Sequence, residues 1–329
     1  MAEPCADDLA WSRGWTAEVD SARILLAPEL SGELEDALSG ALAARGGPPV
    51  HRYSAQSAHA GPPVVCIGPA PPRALLQDGS SLVWFHSSYA GVDAVLRGGL
   101  PSGVLLTRTV GRMGERIAQF VLGWILSECQ KVPDHLAQQR ARQWRRLPSE
   151  LAAGQLAVVY GTGAIGARIG HALRCNGIRT VGVSRTGRGS GGFDDVLPAG
   201  RAGEVLPQAR WVINALPLTA DTADFFDEAL FRQLGGATFV NVGRGATVDV
   251  ESLGRALHGG QVRAAVLDVL PEEPPAPDDA CWSLPRTTIT SHCAGLTSDE
   301  DVVTDFLACW EDLRGARRPF LAVQRERGY

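Results

Sequence analysis

The chain has 329 residues, enough for two domains, and is 45% hydrophobic and 20% charged, the balance of a protein with a substantial core. A net charge of −5 argues against a general nucleic-acid or membrane-surface binder, and no apolar run reaches the length of about 20 residues that a spanning helix needs. Seven scattered cysteines without a CxxC pair read as reduced thiols of a cytoplasmic protein; no metal site is expected.

Met1–Asp20 carries Asp7, Asp8 and Glu18 and no long apolar run, so it does not read as a signal peptide. Arg23–Ala27 is a short apolar run that suits a first parallel strand. Residues 31–44 follow, with Leu34, Leu38 and Leu42 on one helical face. Pro63–Ile67 and Leu82–Phe85 are two further strand-like runs, so the first hundred residues read as a small α/β domain. Ser87–Asp93 is a turn of small residues feeding a helix. It is either an anion-holding turn or an ordinary strand-to-helix turn, and the residues leave both open. Val104–Leu106 reads as a connecting strand. Ile117, Phe120, Val121, Trp124 and Ile125 then mark one face of a long helix. Lys131 to Arg146 is polar and basic, and in an acidic chain it reads as a solvated helix and loop. Lys131 is also the single lysine of the chain, and imine chemistry through it is set aside.

From Gln155 onward the pattern is regular. Leu156–Tyr160, Thr180–Val183, Trp211–Ala215, Thr238–Val242, Ala264–Asp268 and Thr287–Thr290 are six strand-like runs. Helical stretches over Ala164–Cys175 and Val250–His258 lie among them. This alternation predicts a doubly wound parallel sheet. Gly187–Gly192 reads as a flexible surface loop, and Pro271 to Pro285 as a proline-rich connection. A capping-box-like Ser298-Asp299-Glu300-Asp301 opens a last amphipathic helix, expected to pack back on the first domain.

The first of the six runs ends in Gly161-Thr162-Gly163-Ala164-Ile165-Gly166, a glycine turn that opens a helix. In a strand–turn–helix–strand setting this spacing predicts a dinucleotide pyrophosphate seated on the helix start. The next strand ends in Ser184-Arg185-Thr186 rather than in the acid that grips a free ribose, and no carboxylate follows until Asp194. Two hydroxyls and a guanidinium there suit a 2′-phosphate, so NADP(H) is expected over NAD(H).

Ligands of open α/β sheets lie at the carboxyl ends of the strands. Those ends carry Asn214, Arg244, Asp268 and His292. Arg244, between Gly243 and Gly245, suits a carboxylate clamp. His292 is a proton-transfer group, and Glu273 beside it would keep it charged and fix its orientation.

Taken together these motifs resemble the D-isomer-specific 2-hydroxyacid dehydrogenases, most of all their NADPH-dependent glyoxylate/hydroxypyruvate reductase branch. The resemblance rests on Gly161–Gly166, Ser184–Thr186, Asn214-Ala215-Leu216-Pro217-Leu218-Thr219, Asn241–Gly245, Leu267-Asp268-Val269 with Glu273-Pro274, Cys281–Pro285 leading to His292, and Arg325–Tyr329. It implies a Rossmann-type sheet (101–294) inserted into a smaller flavodoxin-like α/β substrate domain (1–100 plus 295–329). It adds Leu216, Pro217, Gly243 and Asp268 to the cofactor-binding residues. It implies that Arg244 holds the substrate carboxylate and polarises the 2-oxo group, while His292, paired with Glu273, protonates the oxygen as the carbon takes hydride from NADPH. It makes Tyr89-Ala90-Gly91 a carboxylate cradle. It also implies a homodimer in which Trp144 reaches the partner's substrate pocket. Leu270, Pro271, Ser291, Cys293 and Gly111–Glu115 depart from the family pattern and leave the substrate open. A bulkier or phosphonate-type acid, or a nucleotide-sensing corepressor-like protein, stands as the alternative to reduction of a small 2-oxo acid.

Overall fold

The structure, a computed structural model, describes residues 15–54, 61–189 and 191–325. Cys5, residues 1–14 of the amino-terminal stretch, Ser190 of the glycine-rich loop and residues 326–329 of the carboxyl-terminal motif lie outside the described residues. The chain divides into two compact units, one comprising Met1–Arg112 with Thr297–Tyr329 and the other Met113–Leu296.

The first unit holds a five-stranded sheet of β1 (Arg23–Leu26), β2 (Val50–Arg52), β3 (Val64–Gly68), β4 (Leu82–Ser87) and β5 (Leu105–Arg108), in the order β2-β1-β3-β4-β5. Every pairing is parallel, which is the flavodoxin-like order. Leu105–Arg108 is therefore not a connector but the edge strand of this sheet, pairing Trp84 with Leu105 through Ser87 with Arg108. Val50–Arg52 was not legible as a strand, because its three residues, Val-His-Arg, are too short to show a pattern. Both faces of the sheet are covered by apolar side chains, as a parallel sheet requires.

The last helix, Asp299–Arg314, packs Val302, Phe306 and Trp310 into the first unit's core with Leu34, Leu38 and Trp84. Its start is a reciprocal cap between Ser298 and Asp301. The same helix presents two carboxylates to the backbone that leaves β5. Asp305 Oδ2 accepts from the amides of Val110 and Gly111, both at 2.7 Å, and Asp301 Oδ1 accepts from that of Arg112.

The second unit holds β6 (Leu156–Tyr160), β7 (Arg179–Ser184), β8 (Asp195–Pro198), β9 (Trp211–Asn214), β10 (Ala237–Asn241), β11 (Val262–Leu267) and β12 (Thr287–Ile289). Their order, β12-β11-β10-β9-β6-β7-β8, reverses direction between β6 and β9. That reversal is the switch point of a Rossmann sheet, where a crevice opens beyond the strand ends. The predicted helix over Ala164–Cys175 has those bounds, and the long helix runs over Met113–Cys129. Of the basic stretch, Val132–Arg140 is a helix and residues 141–150 are irregular. In this sheet Asp195–Pro198 is the strand that the pattern does not predict; it is short and half exposed, at the sheet edge. Among the described residues no helix is long and apolar enough to cross a membrane.

Candidate active site

The turn after β6 shows why its residues are glycines. Gly161 sits at φ +97, and a side chain there would meet the Ala215 carbonyl oxygen at 2.6 Å. A Cβ on Gly166 would lie 1.7 Å from the Gly161 carbonyl oxygen, so the helix closes directly onto the turn. Gly163 has nothing within 4 Å of its Cβ position, so the turn is open on that side. A turn closed towards the protein and open at its second glycine leaves room for a pyrophosphate against the backbone. Ala164 and Ile165 form the first turn of the helix that follows.

Thr162 and Ser184 both donate to one acceptor, the Arg188 carbonyl, at 2.8 and 2.7 Å. These bonds fold the glycine-rich segment back over the start of the helix, and a Cβ on Gly192 would come within 2.2 Å of the Ala167 oxygen. The glycines there serve close approach, and the described part of the segment is pinned rather than loose. Arg185 and Thr186 are exposed at this edge. Asp194, the nearest acid in sequence, is far from it along β7. Its carboxylate accepts from the Thr180 amide and pairs with Arg174 at the opposite end of that strand. The Thr180 bond, with Arg174 behind it, holds the Asp194 carboxyl below the usual carboxylate range.

The ends of β9 to β12 are tied into one assembly. Buried Asn214 donates to Asn241 Oδ1 at 2.9 Å and to Thr247 Oγ1 at 2.7 Å, and its own oxygen accepts from the Leu216 amide. Asn241 and Thr247 in turn both donate to the Arg244 carbonyl. Pro217 follows Leu216 in this segment and accepts from Thr222 Oγ1. Gly243 takes its place by donating to Asn241 Oδ1, and a Cβ on it would meet the Leu216 oxygen at 2.6 Å. A Cβ on Gly245 would lie 1.8 Å from the Leu270 carbonyl carbon, so the Arg244 turn and the chain after β11 are in direct backbone contact. The glycines beside Arg244 are thus demanded by packing, beyond the clearance for its guanidinium that the spacing suggested.

That contact leads straight to the histidine. Glu273 accepts from the Leu270 amide with Oε1 at 2.9 Å and from His292 Nδ1 with Oε2 at 2.6 Å. The carboxylate can only accept, so Nδ1 donates and Nε2 is the ring nitrogen left for a ligand. His292 itself stands at φ +53, half exposed, with its amide donating to the Asp268 carbonyl. Asp268 is 3% exposed and braces the whole loop. Its carboxylate accepts from Thr290 Oγ1 at 2.5 Å and from the amides of Cys293 and Ala294 at 2.9 Å. The bracing by Asn214, Asn241, Thr247 and Thr290 was not foreseen. A polar residue ending each apolar strand run was the available signal, since a buried polar side chain needs partners.

In the first unit, described by itself, β4 ends in Ser87 and leads into Ser88-Tyr89-Ala90-Gly91. The helix after this turn is only Asp93–Arg97. The Tyr89 amide donates to Ser87 Oγ, while the amides of Ala90 and Gly91 have no hydrogen-bond partner among the described residues. Buried Ser88 also keeps a hydroxyl without a partner among the described residues. Trp144 lies in the irregular segment after the Val132–Arg140 helix and is 99% exposed on the single chain.

The model of the D-isomer-specific 2-hydroxyacid dehydrogenase NAD-binding domain matches residues 122–294. The chain is 54% identical over 268 residues to an uncharacterized protein of Streptomyces coelicolor, covering 81% of this chain and 96% of that one. It is 30% identical to a glyoxylate/hydroxypyruvate reductase A of Yersinia enterocolitica, covering 79% of this chain and 85% of the relative. A D-isomer-specific 2-hydroxyacid dehydrogenase of Xanthobacter autotrophicus Py2, solved in complex with NADPH and MES, superposes with a TM-score of 0.82 at 26% identity, covering 94% of this chain and 100% of that one. With a Rossmann sheet, a glycine turn opening the helix after its first strand and a Glu–His pair at the strand ends, the chain belongs to the D-isomer-specific 2-hydroxyacid dehydrogenase family of oxidoreductases.

Proposed function

We propose that this protein is an NADPH-dependent reductase of small 2-oxo acids such as glyoxylate or hydroxypyruvate. The observation that carries the reading is the Glu273–His292 pair at 2.6 Å, with Glu273 bonded to the Leu270 amide and Leu270 packed against Gly245 of the Arg244 turn. When bound, the reduced nicotinamide supplies hydride to the 2-oxo carbon. Arg244 holds the substrate carboxylate with charged hydrogen bonds and draws electron density from the 2-oxo group. His292 Nε2 gives the proton to the oxygen as charge develops on it, while Glu273 keeps the imidazolium in place from the other nitrogen. Ala90 and Gly91 amides, with the Ser88 hydroxyl, supply donors for an anionic group of the substrate.

The choice of NADPH rests on the edge of β7. Arg185 is exposed there, and Asp194, the first acid to follow it in the sequence, is held at the far end of the strand. The solved NADPH complex of the Xanthobacter relative agrees with it. Trp144, almost wholly exposed on one chain, completes the pocket of a second copy in a homodimer. A monomer by light scattering overturns that last point alone. The reading as a whole is tested by oxidation of NADPH and NADH against a panel of 2-oxo acids, from glyoxylate to bulky and phosphonate-bearing ones. Turnover of glyoxylate or hydroxypyruvate with NADPH preferred is the expected result. Turnover of bulky acids alone, or of none, defeats it.

A further inference from the structure

The amino ends of the seven-stranded sheet, opposite the strand ends described above, carry a feature with no part in hydride transfer. The register sets Arg179, Leu156 and Arg210 side by side, because Leu156 pairs with Arg179 and Ala157 with Trp211. Two strand spacings separate Arg179 from Arg210, about 10 Å, which two long guanidinium side chains can close. Arg263, at the start of β11, reaches back so that its NH2 donates to the Arg210 carbonyl and its Nε to Thr238 Oγ1 at 2.9 Å. The three arginines line one pocket of about 330 Å³ together with Gln155, Gln208 and Gly236.

The arginines are held in position from behind. Glu128 Oε1 lies 3.1 Å from Arg210 and 2.5 Å from Arg263, and its Oε2 accepts from Trp211 Nε1 and Thr238 Oγ1. Glu150 pairs with Arg210 at 2.7 Å and with Lys131 at 2.5 Å. Four cations therefore face two carboxylates. The surplus includes Arg179: its guanidinium has no ion pair or hydrogen bond among the described residues. Arg210 Nε is buried and also lacks a partner among the described residues. Guanidinium groups lining a concave pocket, one of them exposed and without a partner among the described residues, are the chemistry that recognises phosphate and carboxylate groups. The volume suits a small metabolite.

We propose that this pocket binds a small polyanion, one bearing two or more phosphate or carboxylate charges, at a site separate from the dinucleotide turn. Arg179 supplies the decisive contact, while Arg210 and Arg263 form its preorganised floor. The test uses the full-length protein saturated with NADPH, and in a parallel series with NADH, so that the cofactor turn is occupied. Pyrophosphate and citrate are then titrated calorimetrically and by thermal shift. Saturable binding of either probe is expected, weakened about tenfold or more by Arg179→Glu, the loss of one charged pair together with the new repulsion. Arg179→Gln gives a smaller loss with the charge neutralised. Arg179 is exposed and unpaired, so both variants are expected to keep the wild-type melting temperature without the probe, which separates lost binding from lost folding. Binding of pyrophosphate alone identifies a phosphate ligand, and of citrate alone a carboxylate ligand. No saturable binding of either probe, or binding that Arg179→Glu leaves intact, overturns the proposal. The readout is binding, so it stands or falls independently of which acid the enzyme reduces.

Discussion

Both sheets place a histidine near the carboxyl end of a strand, and the two histidines have opposite fates. His86, on β4 of the first unit, is wholly buried. It sits in a one-way relay: Trp84 Nε1 donates to Thr107 Oγ1, that hydroxyl to His86 Nδ1, His86 Nε2 to Thr109 Oγ1, and Thr109 to the Ser87 carbonyl. Every site on the neutral ring is used, and burial pushes its pKa down to about 3. His292, beyond β12 of the second unit, is half exposed, faces a carboxylate at 2.6 Å and keeps one nitrogen open. The difference teaches that position at a strand end does not make a histidine a proton donor. A hydroxyl relay in the core fixes one tautomer and holds a turn, whereas a carboxylate at the rim engages one ring nitrogen and leaves the other open.

The largest test of this contrast is the pH dependence of folding. The native state keeps His86 neutral while the unfolded chain takes up a proton below its ordinary value of 6.5. Stability from this group is therefore intact above pH 6.5 and drains away as pH falls towards 3, by on the order of 5 kcal/mol in total. Urea unfolding from pH 7.5 to 4 is expected to show the wild-type midpoint falling more steeply than that of His86→Phe. Parallel slopes would break the contrast from the side of the buried ring.

Next in size is His292→Ala, expected to cut kcat by ~10²–10⁴-fold while NADPH still binds. Fluorescence titration of NADPH beside the kinetics separates the two effects, and unchanged turnover removes His292 from the role. Arg185→Ala probes the other edge of the same sheet. It should raise KM for NADPH about 10–100-fold, the worth of charged hydrogen bonds, with little change for NADH. Equal losses for both cofactors would mean that no 2′-phosphate is read there. The smallest effect belongs to the turn that the His86 relay supports. Ser88→Ala should raise KM for the 2-oxo acid about tenfold, the low end for a hydrogen bond to a charged group, with kcat nearly unchanged. No change in KM would reduce the Ser88 hydroxyl to a buried group without a ligand.

Much of the architecture was legible because periodicity and glycine spacing are local signals. Leu156–Tyr160 and the Ala164–Cys175 helix have the bounds the pattern predicts. The capping box at Ser298 and the apolar face of the last helix were likewise readable, since both lie within a few residues of chain. Val50–Arg52 and Asp195–Pro198 were not, because strands of three and four residues with mixed polarity form only when a neighbouring strand supplies their hydrogen bonds. The role of Leu105–Arg108 as an edge strand depended on its pairing with β4, which no local pattern encodes.

The sequence by itself determined the chemistry on offer: a glycine turn of the kind that suits phosphates, hydroxyls and a guanidinium at the next strand end, and an Arg, a Glu and a His in that order. These follow from residue type and short spacing. Only the tertiary structure decided how those groups are held. It placed Glu273 between the Leu270 amide and His292, turned Asp268 into the brace of the histidine loop, put Asp194 at the wrong end of β7 to grip a ribose, and gathered Arg179, Arg210 and Arg263 into one pocket. The physical reason is that a buried polar group takes whichever partner the fold brings within about 3 Å, and such partners here are often tens of residues away along the chain.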